Sequence, residues 1–554
     1  MKKSDETISG FLTELYQGRF NDTLFRTFSA AEPDEQTKRI ISRFHELIKE
    51  YPALSLEKSG MIPDELWQGL KEIGIFGLNI PARYGGVGLS LTNYLRVLKA
   101  MAGVDMALAI IPTAHLSIGV KGVVLFGTEG QKKKYLPKAA SGEMLFAYAL
   151  TESGIGSDAQ HITTSATLSD DGSAYLINGQ KSYITNGGYA GGMVVFARME
   201  QEKPGFMGAF IVETDMEGVT VGKDVAKMGL TISSTTTIQF KDVRVPVENL
   251  LGKPGDGFKI AMSILNYGRL GLGAASAGVM SRSVEDMFER ASSRVQFGRP
   301  IKGFELIQDK IVRAVVNGFA AEAMTKFTAH LLESNPEASC SMESSHTKLF
   351  GTTRGWDVLY DALQTAGGAG YLSGLPYEKR MRDFRVTTIF EGTTEIHTIY
   401  PPLVMIRILS AGNQKKGKIA SFLSLLGSLL KRPDINPETD NPVFRKAVSY
   451  AAGCVWRVRL LLVWGAIRFG KRITDKEFYL ERITRVSVSL FAILAMMARI
   501  ESHHRAEKDI QAELELLDYF VEEEKERGGS GAGFWTTRKE KLHRRIFARM
   551  DSAH

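Results

Sequence analysis

Apolar and polar positions follow two different rhythms over three stretches of the chain. From Glu35 to about Leu145 apolar residues return at helical spacing, as in Leu66, Leu70 and Ile73 and again in Leu95, Leu98 and Met101. Gly85, Gly86 and Gly88 interrupt that rhythm in PARYGGVGLS, which reads as a loop. Between Thr151 and Leu251 the period falls to two: MVVFARM, GAFIVET, GVTVG and TTTIQFKDV are short, β-branched and separated by turn residues, the pattern of an antiparallel β domain. From Gly257 the helical period resumes, first as one long helix whose Gly271, Ala274, Ala275 and Gly278 suit close packing, then over 305–334, 341–368, 378–385 and 391–410, enough for a bundle. A sheet needs cover, so an α-β-α order along the chain is expected.

The resulting fold class is mainly α with a central β domain. The expected domains are an N-terminal arm over 1–34 with a short helix from Glu6 to Tyr16, a helical domain over 35–148, the β domain over 149–255, a helical bundle over 256–409 and an additional helical domain over 410–554. Several domains are required in any case, because 554 residues exceed what one hydrophobic core holds.

Composition narrows the class further. Apolar residues at 44% and charged residues at 24% are those of an ordinary globular protein. A net charge of +7 suits anionic substrates or an anionic membrane surface and is too small to argue for nucleic acid. With Cys340 and Cys454 alone, neither a disulfide framework nor a cysteine zinc site is expected, and no metal site is read. The first residues, MKKSDETISGFLTEL, carry Asp5 and Glu6 and lack a long apolar core, so the expectation is a cytoplasmic chain without signal or transit peptide. There is no Rossmann GxGxxG after a strand, no Walker A sequence, no HExxH and no GxSxG elbow, and GGSGAG at 528–533 reads as a linker.

The candidate chemistry centres on 380–401, RMRDFRVTTIFEGTTEIHTIYP. Glu391 stands between Phe390 and Gly392, so apolar neighbours would desolvate a carboxylate that a flat ligand can approach, the setting of a general base. A glycine-rich turn, QTAGGAGYLSG at 364–374, precedes it.

These stretches resemble the flavin-dependent acyl-CoA dehydrogenases, in which a Gln-x-x-Gly-Gly turn is followed by an aromatic and Glu-Gly-Thr. Further matching segments follow in the family's order: ALTESGIGSDA at 149–159, NGQKSYITNGG at 178–188, FKDVRVPVENLLG at 240–252 and RVQFGRPI at 294–301. The resemblance runs from about Asp64 to Pro401 and is strongest to the very-long-chain branch, whose members carry an extra C-terminal domain.

The resemblance implies FAD as cofactor. Tyr148, Leu150 and Thr151 would meet the flavin's polar edge, Gly156 and Ser157 its phosphates, and Tyr183 (where Trp is usual) and Thr185 its ring. Ser153 stands where the family usually has Pro. Arg294, Gln296 and Phe297 match residues that reach the FAD of a neighbouring subunit, Gln364, Gly367 and Gly368 match its adenosine end, and Thr393 and Glu395 follow the catalytic acid; a homodimer or larger homo-oligomer is implied. For substrate, Ser157, Asn266 (often Asp in the family), Arg269, Phe390 and Gly392 would contact the acyl-CoA, and Ala109 and Thr113 would line the acyl pocket. Their small size implies a long-chain preference.

By resemblance Glu391 removes an α-proton of a fatty acyl-CoA while a hydride leaves the β-carbon for the flavin, giving trans-2-enoyl-CoA for β-oxidation, with electrons passed to an electron-transfer flavoprotein. In some relatives the base sits just before the arginine matching Arg269; here that place is Gly268. An acyl-CoA oxidase and a respiratory-complex assembly factor with residual activity are the alternative readings.

In the C-terminal extension, Lys415, Lys416 and Lys418 precede the apolar run IASFLSLLGSLL, closed by Lys431, Arg432 and Pro433. Later, Trp456 and Trp464 mix with Arg457, Arg459, Arg468, Lys471 and Arg472. No uncharged run reaches the ~18–20 residues of a span, so these segments are expected either to lie on the inner face of a membrane or to pack as a helical domain.

Overall fold

The computed structural model describes residues 10–199, 205–335, 340–412, 440–527 and 538–553, with Gly427, Pro433 and Ile435 besides. The basic residues and apolar run between 413 and 432, and the GGSGAG stretch, lie outside the described residues. The chain divides into two units, one of Pro33–Val279 with Tyr371–Gly392 and one of Met1–Glu32, Met280–Gly370 and Thr393–His554.

The first of these units joins α-helices to the β domain. Its helices start where capping side chains stand: Asp34 accepts from Thr37 N at 2.7 Å, Ser90 from Asn93 N at 3.2 Å, and Asp105 from Ala107 N at 2.7 Å. Helix Met106–Thr113 contains Pro112, which has no N–H for the ladder, and the chain continues as a π-helical stretch, Ala114–Gly119, before helix Lys121–Phe126. Within the π-helical stretch His115 is fully buried; burial lowers its pKa to about 4, so it is neutral, with Nδ1 accepting from Phe146 N at 2.9 Å and Nε2 facing the carbonyls of Phe76 and Ala139, each at 3.2 Å.

That hydrogen bond ties the helices to the first strand of the sheet. The strands are β1 (Leu145–Ala149), β2 (Ser165–Leu168), β3 (Ala174–Thr185), β4 (Ala190–Arg198), β5 (Met207–Glu213), β6 (Val219–Val221), β7 (Thr235–Pro246) and β8 (Leu250–Leu251). The order β6-β7-β3-β2-β4-β5-β8 is antiparallel except where β2 meets β4, and β1 lies off this path, parallel to β4, with Leu145 opposite Ala190 and Ala149 opposite Val195. A strand that arrives from a helical domain has no hairpin to reverse it, which is why β1 departs from the expected antiparallel pattern. Ile177, Val195, Phe210, Val212, Ile238 and Val243 form the core of this layer.

The second unit is helical. It contains helices Glu305–Ser334, Ser341–Ala366, Thr394–Gly412, Pro442–Phe469, Glu477–Arg505 and Gln511–Lys525. The short N-terminal helix, described over Phe11–Tyr16, packs into it: Phe11 meets Phe327 edge-on at 5.2 Å, and Phe327 meets Phe491 at 6.1 Å. Polar contacts fix the register. Tyr16 and His346 both bond Ser487 Oγ, at 2.5 and 2.6 Å, and buried Arg459 donates to the carbonyls of Leu15 at 2.7 Å and Tyr16 at 3.0 Å. Arg459 therefore satisfies backbone inside the fold, which corrects the expectation that it faces a membrane. Trp456, Leu460, Trp464 and Ile467, by contrast, share one exposed stripe at helical spacing.

Among the described residues three helices are long and apolar enough to cross a membrane by length and composition: Met106–Phe126, Pro442–Asp475 and Glu477–Arg505. Each tolerates a charged residue or two, so none is an uncharged run of the length expected for a span. The most apolar stretches of the first and third are 89% and 78% buried inside the fold, against 44% for Pro442–Asp475, so core packing accounts for two of the three.

Glu343 anchors the N-terminal helix, accepting from Leu12 N at 2.7 Å in full burial, which raises its pKa to about 7. A raised carboxylate pKa adds stability that is present below its unfolded value of 4.5 and is lost as the pH rises through 7. Glu343→Gln keeps the acceptor oxygen and removes the ionisation, so it is expected to raise stability by ~1–3 kcal/mol at pH 8 and to change it little at pH 4. Thermal unfolding of both proteins across that range checks this; an equal effect at both pH values would contradict it.

Candidate active site

Glu391 follows helix Pro376–Arg385 and the 3₁₀ turn Val386–Thr388. That segment is pinned by buried charge. Lys379 Nζ lies 3.3 Å from both carboxylate oxygens of Asp105 and 2.5 Å from Asp383, while Asp383 Oδ1 accepts from Leu230 N at 2.6 Å. Arg382 forms a fork with Glu57, at 2.6 and 3.2 Å, and a second with Glu378, at 2.6 and 3.0 Å. A cap of the π-containing helix, a loop of the β domain and the approach to Glu391 are thus held by one network. Sequence reasoning missed it; the i,i+4 spacing of Lys379 and Asp383 was the local signal available.

The backbone at Glu391 is strained, with φ of 54°. This geometry sends the carboxylate toward helix Gly257–Ser293 at Gly268. A Cβ added at Gly268 would stand 2.4 Å from Glu391 Oε2 and 2.7 Å from Ile118 Cγ2, so only glycine leaves room for this acid. Oε2 is shielded from solvent.

Around it lie one buried phenol, one half-buried phenol and a guanidinium. Tyr148 is held well above its ordinary pKa by burial and by the Glu391 carboxylate, with Arg269 opposing. Tyr94, also raised by burial with Glu391 adding, shares a 2.8 Å hydrogen bond with Ser117 Oγ of the π-helical stretch. Arg269 is buried and faces Asn266 Oδ1 at 3.4 Å. Next along the helix, a Cβ at Gly271 would meet Thr113 Cγ2 at 2.9 Å, and Thr113 itself bonds Ala109 O at 2.7 Å. Glu391, Arg269, Asn266, Tyr148, Thr113 and Ala109 accordingly belong to one neighbourhood. Phe390 and Gly392 flank the acid and are half-buried.

The β-domain candidates form a second group. Ser182 N donates to Thr151 O at 2.9 Å, setting Thr151 beside Tyr183, whose ring is 64% exposed on a backbone of φ 60°. Thr185 follows two residues on at the end of β3, half-buried, and Leu150 is buried. Beneath this surface Lys181 donates to Leu150 O and to Glu152, both at 2.9 Å, and Glu152 also accepts from Thr163 N at 2.7 Å and Thr164 N at 2.9 Å. Burial works against both charges; the Lys181 ion pair and these donors still hold Glu152 down at about 2, and burial brings Lys181 to about 8. This pair was also missed, because a lysine in a β alternation reads as a solvent-facing position. The turn it anchors leaves Gly156 and Ser157 exposed, with open space at the Gly156 Cα.

In the helical unit Arg294, Gln296 and Phe297 lie on an exposed two-stranded turn, Val295–Gln296 against Arg299–Pro300. Phe297 is 94% exposed with φ of 50°. Gln364, Gly367 and Gly368 end helix Ser341–Ala366, exposed, with Gly367 at φ 65°. Thr393 Oγ1 accepts from Ile396 N at 3.3 Å as helix Thr394–Gly412 begins, and Glu395 points outward. Among the described residues no His, Cys, Asp or Glu cluster suits a metal ion.

Residues 34–143, 147–243 and 255–400 match, in turn, the N-terminal, middle and C-terminal domains of acyl-CoA dehydrogenase. The chain is 35% identical over 543 residues to the mitochondrial very long-chain specific acyl-CoA dehydrogenase of Macaca fascicularis, covering 90% of this chain and 80% of that one. Among solved structures, an acyl-CoA dehydrogenase from Bacillus anthracis complexed with FAD superposes with a TM-score of 0.82 at 28% identity, over 96% of this chain and 97% of that one. Butyryl-CoA dehydrogenase of Megasphaera elsdenii gives a TM-score of 0.65 at 32% identity, over 68% of this chain and 99% of the other, so about a third of this chain has no counterpart there. With an acid at Glu391, room for it at Gly268 and all three domains matched in order, the chain belongs to the acyl-CoA dehydrogenase family.

Proposed function

We propose that the chain is an FAD-dependent dehydrogenase that introduces the α,β double bond into long-chain fatty acyl-CoA, with Glu391 as the base. The observation that carries this is the approach of the Glu391 carboxylate to the surface vacated at Gly268, beside Arg269 and the phenols of Tyr94 and Tyr148.

The residues present suit the cofactor. Tyr183 offers an exposed aromatic face, Thr151 and Thr185 offer hydroxyls beside it, and the Gly156–Ser157 turn leaves room for phosphate. Once bound there, FAD supplies the acceptor for the hydride of the β-carbon. Strain supports the same assignment: Tyr183, Phe297 and Glu391 are three of the seven non-glycine residues with positive φ among those described, each costing about 1–3 kcal/mol that an ordinary packing role does not explain. Arg294, Gln296 and Phe297 present a guanidinium, an amide and a ring that their own unit does not bury, in keeping with delivery to the cofactor of a second copy, and hence with a homodimer or larger assembly. Gln364, Gly367 and Gly368 would serve the adenosine end.

Glu391 takes the α-proton, and shielding of its carboxylate from water strengthens it as a base once the ligand closes the site. Arg269 and Asn266 orient the polar part of the substrate, and Ala109 and Thr113 leave depth for the acyl chain. Oxidation in the β-oxidation direction then requires onward transfer of electrons to an electron-transfer flavoprotein. The stripe of Trp456, Leu460, Trp464 and Ile467, flanked by exposed Arg457, Arg468, Lys471 and Arg472, supports attachment of a cytoplasmic enzyme to the inner face of an anionic membrane, where long acyl-CoAs partition.

An anaerobic absorbance titration with acyl-CoAs of increasing length tests the reaction: bleaching of bound flavin by long-chain thioesters is expected, whereas no bleaching, or stoichiometric hydrogen peroxide in air, contradicts it. Gly268→Ala is expected to keep flavin bound and to lower kcat by about 10²-fold, since a displacement near 1 Å is enough for that. Undiminished kcat would remove the positioning role. Ala109→Leu should shift the optimum toward shorter chains; an unchanged profile would show that this helix does not line the pocket. Trp456→Ser with Trp464→Ser should reduce co-sedimentation with anionic vesicles at low salt, and equal sedimentation would exclude the stripe as the attachment face.

A further inference from the structure

A cavity lies wholly within the helical unit, far along helix Ser341–Ala366 from the Gln364 turn, where Leu349, Phe350, Thr353 and Arg354 of that helix line it together with residues of Pro442–Phe469 and Glu477–Arg505. Its volume is about 640 Å³, within the ~300–1,000 Å³ of ligand sites. Five guanidinium groups line it, those of Arg354, Arg457, Arg482, Arg485 and Arg527, against the two carboxylates of Glu481 and Glu524.

The pairing is uneven. Arg354 pairs with Glu524 at 3.1 Å, Arg527 with Glu523 at 3.2 Å and Glu524 at 3.8 Å, and Arg485 with Glu481 at 2.8 Å. Arg457 and Arg482, on two different helices, form no ion pair among the described residues, so the cavity carries a surplus of positive charge contributed by two helices. Phe350, Leu461, Val486 and Val488 supply an apolar wall beside them. Nothing in the reaction of the acyl-CoA site uses these groups. The lining is also poorly suited to chemistry of its own: burial pushes the Cys454 thiol up to about 12 and raises the Tyr450 phenol, leaving neither a nucleophile nor a base.

We propose that this cavity binds a phosphomonoester that carries an apolar part, its phosphate taken between Arg457 and Arg482. A guanidinium fork matches phosphate oxygens in pairs, two such forks match a dianion, and the apolar wall accepts what the phosphate is attached to. The same chemistry is presented by a soluble nucleotide monophosphate and by a lipid with a phosphomonoester headgroup, and the test separates them.

Full-length, FAD-loaded protein is titrated calorimetrically with AMP, with dihexanoyl phosphatidic acid below its micellar concentration, and with hexanoate as a control for charge and chain without phosphate. Binding of one of the two phosphomonoesters at one site per chain is expected, with hexanoate silent. Affinity should fall at least ~10-fold in Arg457→Glu with Arg482→Glu, and should weaken below pH ~6 as the phosphate takes up its second proton. AMP binding identifies a soluble ligand, and phosphatidic acid binding a lipid headgroup. No binding of either probe, or equal affinity in the variant with its flavin content and thermal midpoint unchanged, would overturn the proposal, as would an assembly whose size falls in the variant while no ligand binds. Arg457→Lys with Arg482→Lys, which keeps the charge and loses the forks, should bind at intermediate strength and guards against misfolding of the charge-reversed protein.

Discussion

Everything at the candidate active site depends on a side chain that is missing. At Gly268 the long helix presents bare backbone, and the carboxylate of Glu391 occupies the space that any other residue would fill. The acid is driven there by a positive φ, an unfavourable conformation that the loop alone would relax. What prevents relaxation is the buried network just upstream, in which Lys379, Asp105 and Asp383 tie the segment to a helix cap and to Leu230 N, while Arg382 is held by Glu57 and Glu378. Packing fixes the segment, the segment imposes the strain, and the strain aims the carboxylate.

The same arrangement recurs in the β domain with different parts. Lys181 and Glu152 form a buried ion pair whose desolvation cost is offset only because Leu150 O, Thr163 N and Thr164 N complete their hydrogen bonds. The pair fixes the turn that carries Thr151, Gly156 and Ser157 relative to the strand that carries Tyr183, and it leaves those four residues at the surface. A rigid polar base with exposed aromatic and hydroxyl groups above it suits a flat, polar-edged group, in keeping with the role proposed for these residues.

How much of this was legible in the sequence follows from the range of the interactions. Helical and strand periods report which face of an element is buried, and so the order of helices, sheet and bundle could be read from residues such as Leu66, Leu70, Val195 and Val243. The motif acids and glycines around Glu391 and Gln364 were legible as a resemblance. Contacts between distant segments were not. No local pattern announces that Gly268 faces Glu391, that Lys181 turns inward to Glu152, or that Arg459, in a helix rich in basic residues, reaches the carbonyls of Leu15 and Tyr16. The last of these also changes the view of the C-terminal extension, since its helices share aromatic packing with the bundle through Phe327 and Phe491 and cannot be treated as an appendage.

The central claim is that Glu391 exchanges a proton with the α-carbon of a bound thioester. Incubation of the FAD-loaded enzyme with long-chain acyl-CoA in D₂O, followed by mass analysis of the unreacted thioester, measures that exchange separately from hydride transfer. The account predicts α-deuterium incorporation by the unaltered enzyme and a loss of about 10²–10⁴-fold in Glu391→Gln at undiminished flavin content. Exchange at a near-normal rate in that variant would contradict it.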